Sequence, residues 1–137
     1  MYSERQSMAT IFGTAVLGIS ALFALATSID SFVAPRRFGG RLGFAIAGAD
    51  GLNEVRAQYG GFFLAVAMAG LAGLLGVIPR QAALIVTGTV FGGLILGRLV
   101  SLALDGGARH YNPTIKALFF IDSTGLALSL AAFLTER

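Results

Sequence analysis

Ionisable side chains interrupt two long apolar runs. One holds Arg98, with Ser101 and Asp105 following it; the next holds Asp122. A third polar group, Asn53-Glu54-Val55-Arg56-Ala57-Gln58-Tyr59-Gly60-Gly61, is the densest in the chain and opens directly into another apolar run. Residues of these types can do three things. An arginine facing carboxylates can fix how helices dock. The same groups can hold the polar end of a ligand. Paired carboxylates can act as general acid and base. The sequence supplies no nucleophile constellation and no metal-ligand set. There is no Cys, and the single His, His110, stands beside Tyr111 in a segment read as a solvated loop. No cofactor is indicated.

The elements that position these residues follow from composition. Of 137 residues, 55% are hydrophobic and 12% charged, about half the roughly 25% charged content of soluble domains. Mean hydropathy is +0.79. A soluble domain this short could not hide so much apolar surface; a bilayer can receive it. The net charge of +3 is small and scattered, which argues against a nucleic-acid partner.

Four apolar stretches approach the ~20 residues that cross a hydrocarbon core of about 30 Å. They run from about Met8 to Ile29, Glu54 to Ile78, Gln81 to Leu104 and Pro113 to Leu134. A backbone in lipid must satisfy its own hydrogen bonds, so these stretches are read as helices. The fold expected is an all-α, integral membrane four-helix bundle, with residues 1–137 as a single domain. The first run exceeds the roughly 7–15 residues of a signal-peptide core and is read as a retained span. The Gly-rich segment from Phe38 to Leu52 is read as an interfacial loop, with a short amphipathic piece around Arg41 to Ala47. Asp50 or Asn53 is expected to cap the second helix, and Glu54 to lie in its first turn.

Small residues suggest where helices approach. They are Gly13 and Gly18 on span one; Ala65, Ala69 and Gly73 on span two; and Ser123, Ala127 and Ala131 on span four. Span three carries two GxxxG pairs, Gly88-Gly92 and Gly93-Gly97. Pro79-Arg80 leaves a short connection, so spans two and three form an antiparallel hairpin. Asn112-Pro113 reads as the cap and first turn of span four.

Let side A be the side on which the chain begins, and side B the other. Four spans place Asn53, Glu54, Arg56, Gln58 and Tyr59 near side B. Arg98, Ser101 and Asp105 share one helix face. Arg98 lies seven residues before Asp105, and Asp122 six after Lys116. Both therefore sit roughly 9–10 Å inside side B, at matching depth on consecutive antiparallel helices. An intramembrane ion costs about 2.5–3.5 kcal/mol on insertion scales, so Arg98 requires a partner: Asp122, Asp105 or Glu54. The expectation is a buried network of Glu54, Arg56, Arg98, Asp105 and Asp122, completed by Gln58, Tyr59 and Ser101. No comparable group is read on side A, which argues against a continuous channel. Arg36, Arg37 and Arg41 read as headgroup anchors, with an anionic-ligand gate as the sharper alternative. Phe62-Phe63 and Phe119-Phe120 read as packing or lipid-facing residues.

The stretch Asn53 to Gly61, with Gly97-Arg98-Leu99-Val100-Ser101 and Asp105-Gly106, resembles the signature of small bacterial membrane proteins grouped as domain-of-unknown-function family 4345. The resemblance extends over nearly the whole chain. It implies a four-helix integral membrane protein of the bacterial cytoplasmic membrane and no particular activity. A looser similarity to DoxX-like four-span proteins rests on no particular residues. Basic residues divide unevenly: Arg5, Arg80 and Arg137 on side A; Arg36, Arg37, Arg41, Arg56, Arg109 and Lys116 on side B. The positive-inside rule puts side B in the cytoplasm. The resemblance instead implies both termini inside, which would open the cluster to the periplasm.

Three functions remain open on the residues. First is a non-enzymatic accessory, assembly or stabilising subunit, docking through its Gly ridges onto another membrane protein or a second copy. The alternative is binding or transport of a lipid or small amphiphile by the side-B cluster. Third is a membrane-embedded isomerase-type enzyme. Membrane lipids are the partners common to all three.

Overall fold

In the computed structural model, residues 2–136 are described, with the backbone alone for Tyr2, Ser3 and Arg5. The Arg5 side chain and Arg137, counted above for charge, lie outside the described residues. The described elements are helical. They are α1 (Tyr2–Val33), α2 (Pro35–Leu42), α3 (Gly48–Val55), a π-helical turn (Arg56–Gly61), α4 (Phe62–Leu74), α5 (Arg80–Leu104), a short 3-10 turn (Ala108–His110) and α6 (Pro113–Thr135). Four segments are long and apolar enough to cross a membrane: Gln6–Val33, Gly48–Leu74, Arg80–Leu104 and Pro113–Thr135. The chain is a membrane protein built as a four-helix bundle.

Large apolar side chains lie outside the bundle as well as within it. Ile19, Leu22, Leu96 and Phe120 are all more than 60% exposed, as suits a lipid-facing surface. Beside apolar residues such as Leu17, Leu84 and Phe91, the interior holds the polar residues Ser28, Ser31, Thr87, Ser129 and Asp122. Their hydroxyls are satisfied locally where a carbonyl lies in reach: Ser31 donates to Ser28 O at 2.8 Å and Thr87 to Ala83 O at 2.9 Å. On α1 the buried positions Leu17, Ala21, Ala24, Ser28 and Ser31 recur at alternating steps of four and three. That spacing keeps one stripe facing its neighbour. This stripe packs against α4, α5 packs against α6, and α4–α5 and α1–α6 contacts close the ring.

Close approach depends on glycine at particular points. A Cβ on Gly125 of α6 would stand 2.6 Å from the Phe91 ring of α5, and one on Gly73 would stand 2.5 Å from Ala83 Cβ. The two GxxxG pairs of α5 diverge. Gly88 and Gly92 face Ser129 and Leu126 of α6, whereas Gly93 and Gly97 have open space where a side chain would begin. The small ridges expected on the second and fourth spans are met only at Gly73. Gly73 is buried as expected, but Ala67 and Gly70 are buried in place of Ala65, which is exposed, and Ala69, which is half-buried. On α6, Asp122, Ser129 and Ala132 are buried, while Ser123, Ala127 and Ala131 point outward.

The largest departure from expectation lies between the first two spans. Pro35 does not lead into a loop: it stands at the first turn of α2, where proline has no hydrogen bond to lose. Burial of Pro35, Phe38 and Gly39 holds this short helix despite its glycines. Gly43, at φ +95, ends it in the left-handed region. The extended piece is therefore residues 43–47 alone. The second membrane helix starts earlier than expected, at Gly48 after Ala47, with no side-chain cap. Neither Asp50 nor Asn53 caps it. Asp50 lies in its first turn, and Glu54 falls near the end of α3. By contrast, Asn112 does cap α6, accepting from Ile115 N at 2.9 Å, and its amide donates to Arg41 O at 3.3 Å. One side chain thus ties the end of α2 to the start of α6.

Candidate functional site

The polar stretch Asn53 to Gly61 folds largely into the π-helical turn. Such turns widen the helix by one residue and recur at functional positions. Here the wide turn brings Tyr59 against Phe38 of α2, with ring centroids 5.0 Å apart, and parallel to Phe63 of α4 at 6.4 Å. Gly60 lies beneath the Phe32 ring of α1, which a Cβ would approach to 2.7 Å. The aromatic cluster is the wall of a cavity.

That cavity, of about 500 Å³, opens between α1, α2, α5 and α6. Phe23, Phe38, Tyr59 and Phe63 line it, and two acid–base pairs face it. Arg98 Nε donates to Asp122 Oδ2 at 2.6 Å; the Asp122 side chain is 1% exposed and that of Arg98 18%. The guanidinium also lies over the Phe119 ring, 5.6 Å from its centroid. The pairing uses Nε; a guanidinium carries five N–H donors in all. In the second pair, Asp30 near the end of α1 is bound by Arg41 of α2. Arg37 donates to the other Asp30 oxygen at 2.7 Å. Tyr59 and Leu94 also line two adjoining cavities, each of about 540 Å³.

The expected five-member network is not what forms. Arg98 and Asp122 come together as a pair. Glu54 and Arg56 are exposed, and neither makes an ion pair among the described residues. Glu54 and Gln58 line one adjoining cavity; Ser101 lines the other, beside Arg98. Asn53 is exposed. Asp105 caps the end of α5 and accepts from the Tyr111 hydroxyl at 2.9 Å. The Tyr111 phenol is held above its usual range, first by desolvation and then by its hydrogen bond to Asp105 and that residue's charge; the Ser101 contact works the other way. Both groups sit outside the membrane-length helices. His110 is exposed.

The residues that sequence reasoning missed as site members are Asp30, Arg41 and the ring of Phe38. The available signal was Asp30, Arg37 and Arg41 at i, i+7 and i+11, which falls on one face if the helix resumes after Pro35.

Side A also carries a polar group, contrary to expectation. Arg80 Nε lies 3.5 Å from Glu136 Oε1, and Gln81 donates to Glu136 O at 2.6 Å. Arg80 also reaches Thr10 and Thr14. Gly13 makes room for the Glu136 carboxylate. Val16, Leu17, Ala83, Leu84 and Ala132 form an apolar cluster next to this end. Along α5, Leu84 and Phe91 separate Arg80 from Arg98.

Residues 12–133 match the model of a family described as a domain of unknown function (DUF4345). The chain belongs to this family. No curated protein and no solved structure matches it. The DUF4345 match takes in both ion pairs of the cavity, the π-helical turn and the aromatic wall, whereas Glu136 of the side-A group lies beyond it.

Proposed function

We propose that the protein binds a small amphiphile in the cavity between α1, α2, α5 and α6, without chemistry on it. One observation carries this reading: a single space of about 500 Å³ has four aromatic side chains and two ion pairs in its lining. That volume falls in the range of roughly 300–1,000 Å³ typical of ligand sites, which combine apolar walls with a few convergent polar groups. The apolar part of the ligand would lie against Phe23, Phe38 and Phe63, and its polar end near Arg98 and Arg41. Native mass spectrometry of protein gently extracted from its own membrane tests this. The expected result is a co-purifying small molecule that is lost in Arg98→Ala. A wild-type protein that carries no such molecule would refute the proposal.

A second reading, an accessory or stabilising subunit, draws on a different observation. Gly93, Gly97 and the outward row Ser123, Ala127 and Ala131 have small faces that the bundle itself does not use. Such faces suit a neighbouring helix. In the same experiment a second polypeptide at fixed stoichiometry would favour it.

A further inference from the structure

We infer that the cavity takes an uncharged, ring-bearing amphiphile with a hydrogen-bond-accepting oxygen, and not an anionic lipid. This inference rests on the amphiphile-binding reading. Charge is the first argument. The residues that line the cavity include two arginines and two carboxylates, Arg98 paired with Asp122 and Arg41 with Asp30; Arg37, which shares Asp30, lies outside the lining. An anion taking Arg98 would compete with Asp122, whose side chain is almost wholly buried. Displacing that carboxylate would strand a buried charge, a severe penalty. An anion would also meet the fields of two carboxylates. An uncharged acceptor needs only the guanidinium N–H groups that Asp122 does not engage, and it leaves the pair intact.

Shape is the second argument. Phe23, Phe38, Tyr59 and Phe63 come from α1, α2, the π-helical turn and α4, and bring four aromatic rings from four elements to one cavity. Ring faces pack on ring faces in offset or edge-on geometries that a saturated chain cannot match. Size is the third. About 500 Å³ accommodates a compact body.

The test uses the whole chain in phosphatidylcholine nanodiscs and three probes with comparable alkyl tails, measured by calorimetric titration. They are 4-decylacetophenone (uncharged, ring and carbonyl), decyl phosphate (anionic, no ring) and 2-dodecanone (uncharged carbonyl, no ring). The acetophenone is expected to bind about tenfold or more tighter than either other probe. That preference is the scale of one good charge-assisted hydrogen bond or ring contact. Arg98→Lys keeps the charge opposite Asp122 but loses the planar fork, and should weaken the acetophenone about tenfold. Phe38→Leu leaves the buried ion pair alone and should erase the preference for the ring over 2-dodecanone. Tighter binding of decyl phosphate would overturn the inference while leaving amphiphile binding standing. Equal binding of acetophenone and 2-dodecanone would overturn the ring requirement in the same way. Failure of all three probes would overturn the inference; the co-purified molecule sought by native mass spectrometry judges the underlying reading separately.

Discussion

Asp122 of α6 receives Arg98 of α5 at 2.6 Å, with the carboxylate buried and the guanidinium lying over Phe119. The pair couples two neighbouring helices and also forms part of the cavity wall. Removing one partner leaves an uncompensated charge, buried outright in the case of Asp122. Arg98→Leu or Asp122→Leu should each cost about 3–5 kcal/mol, and the double replacement clearly less than the sum. Unfolding of the four proteins in one detergent measures this. Additive losses would mean that the two residues are not coupled.

Glycines on α5 and α6 should respond in opposite directions. Gly125→Ala drives a methyl group into the Phe91 ring and should cost about 1–3 kcal/mol. Gly93→Ala and Gly97→Ala enter open space, and should be neutral or stabilising by up to about 1 kcal/mol, through helix propensity. The midpoint of thermal unfolding reads both. Destabilisation at Gly93 and Gly97 would indicate a helix packed there, and would favour the subunit reading.

Asn112→Ala removes the cap of α6 and the tie to Arg41 O together. The expected cost is about 0.5–2 kcal/mol. Amide exchange should quicken in the first turn of α6 and also in the last turn of α2. Faster exchange in α6 alone would show that the tie does not hold α2.

Asp105 holds the Tyr111 proton in place. A phenol whose folded pKa is raised contributes stability that is complete below the unfolded tyrosine value of about 10, and that is lost as pH rises through the folded value. Absorbance titration, with Tyr111→Phe to assign the signal among the three tyrosines, should show Tyr111 ionising later than a free phenol. Asp105→Asn should bring it down. No movement would remove Asp105 as a cause.

How much of this was visible beforehand depended on whether a residue's partner lay within regular helix. Arg98 and Asp122 could be paired from sequence because both sit in uninterrupted apolar runs, where residue count converts to depth at 1.5 Å per step. Asp30 and Arg41 could not, because Pro35 stands between them. Proline reads as a terminator, yet here it opens α2, and burial of Phe38 outweighs the low propensity of its glycines. Glu54 and Arg56 misled for a related reason. The helix begins at Gly48, without the polar cap expected at Asp50 or Asn53, and continues through a π-helical turn. Glu54, on α3, and Arg56, at the start of that turn, both lie exposed. Glu136 escaped notice because hydropathy gives no sign that a carboxylate beside the last span folds back over Gly13.

The most direct measurement adds bulk to the cavity without replacing a member of either ion pair. Ala117 lines it from α6, and Ala117→Trp should occupy the space a ligand needs. Native mass spectrometry of this variant, beside wild type extracted in the same way, is expected to show the small-molecule adduct lost while the protein stays folded. An adduct retained at wild-type occupancy would contradict binding in this cavity.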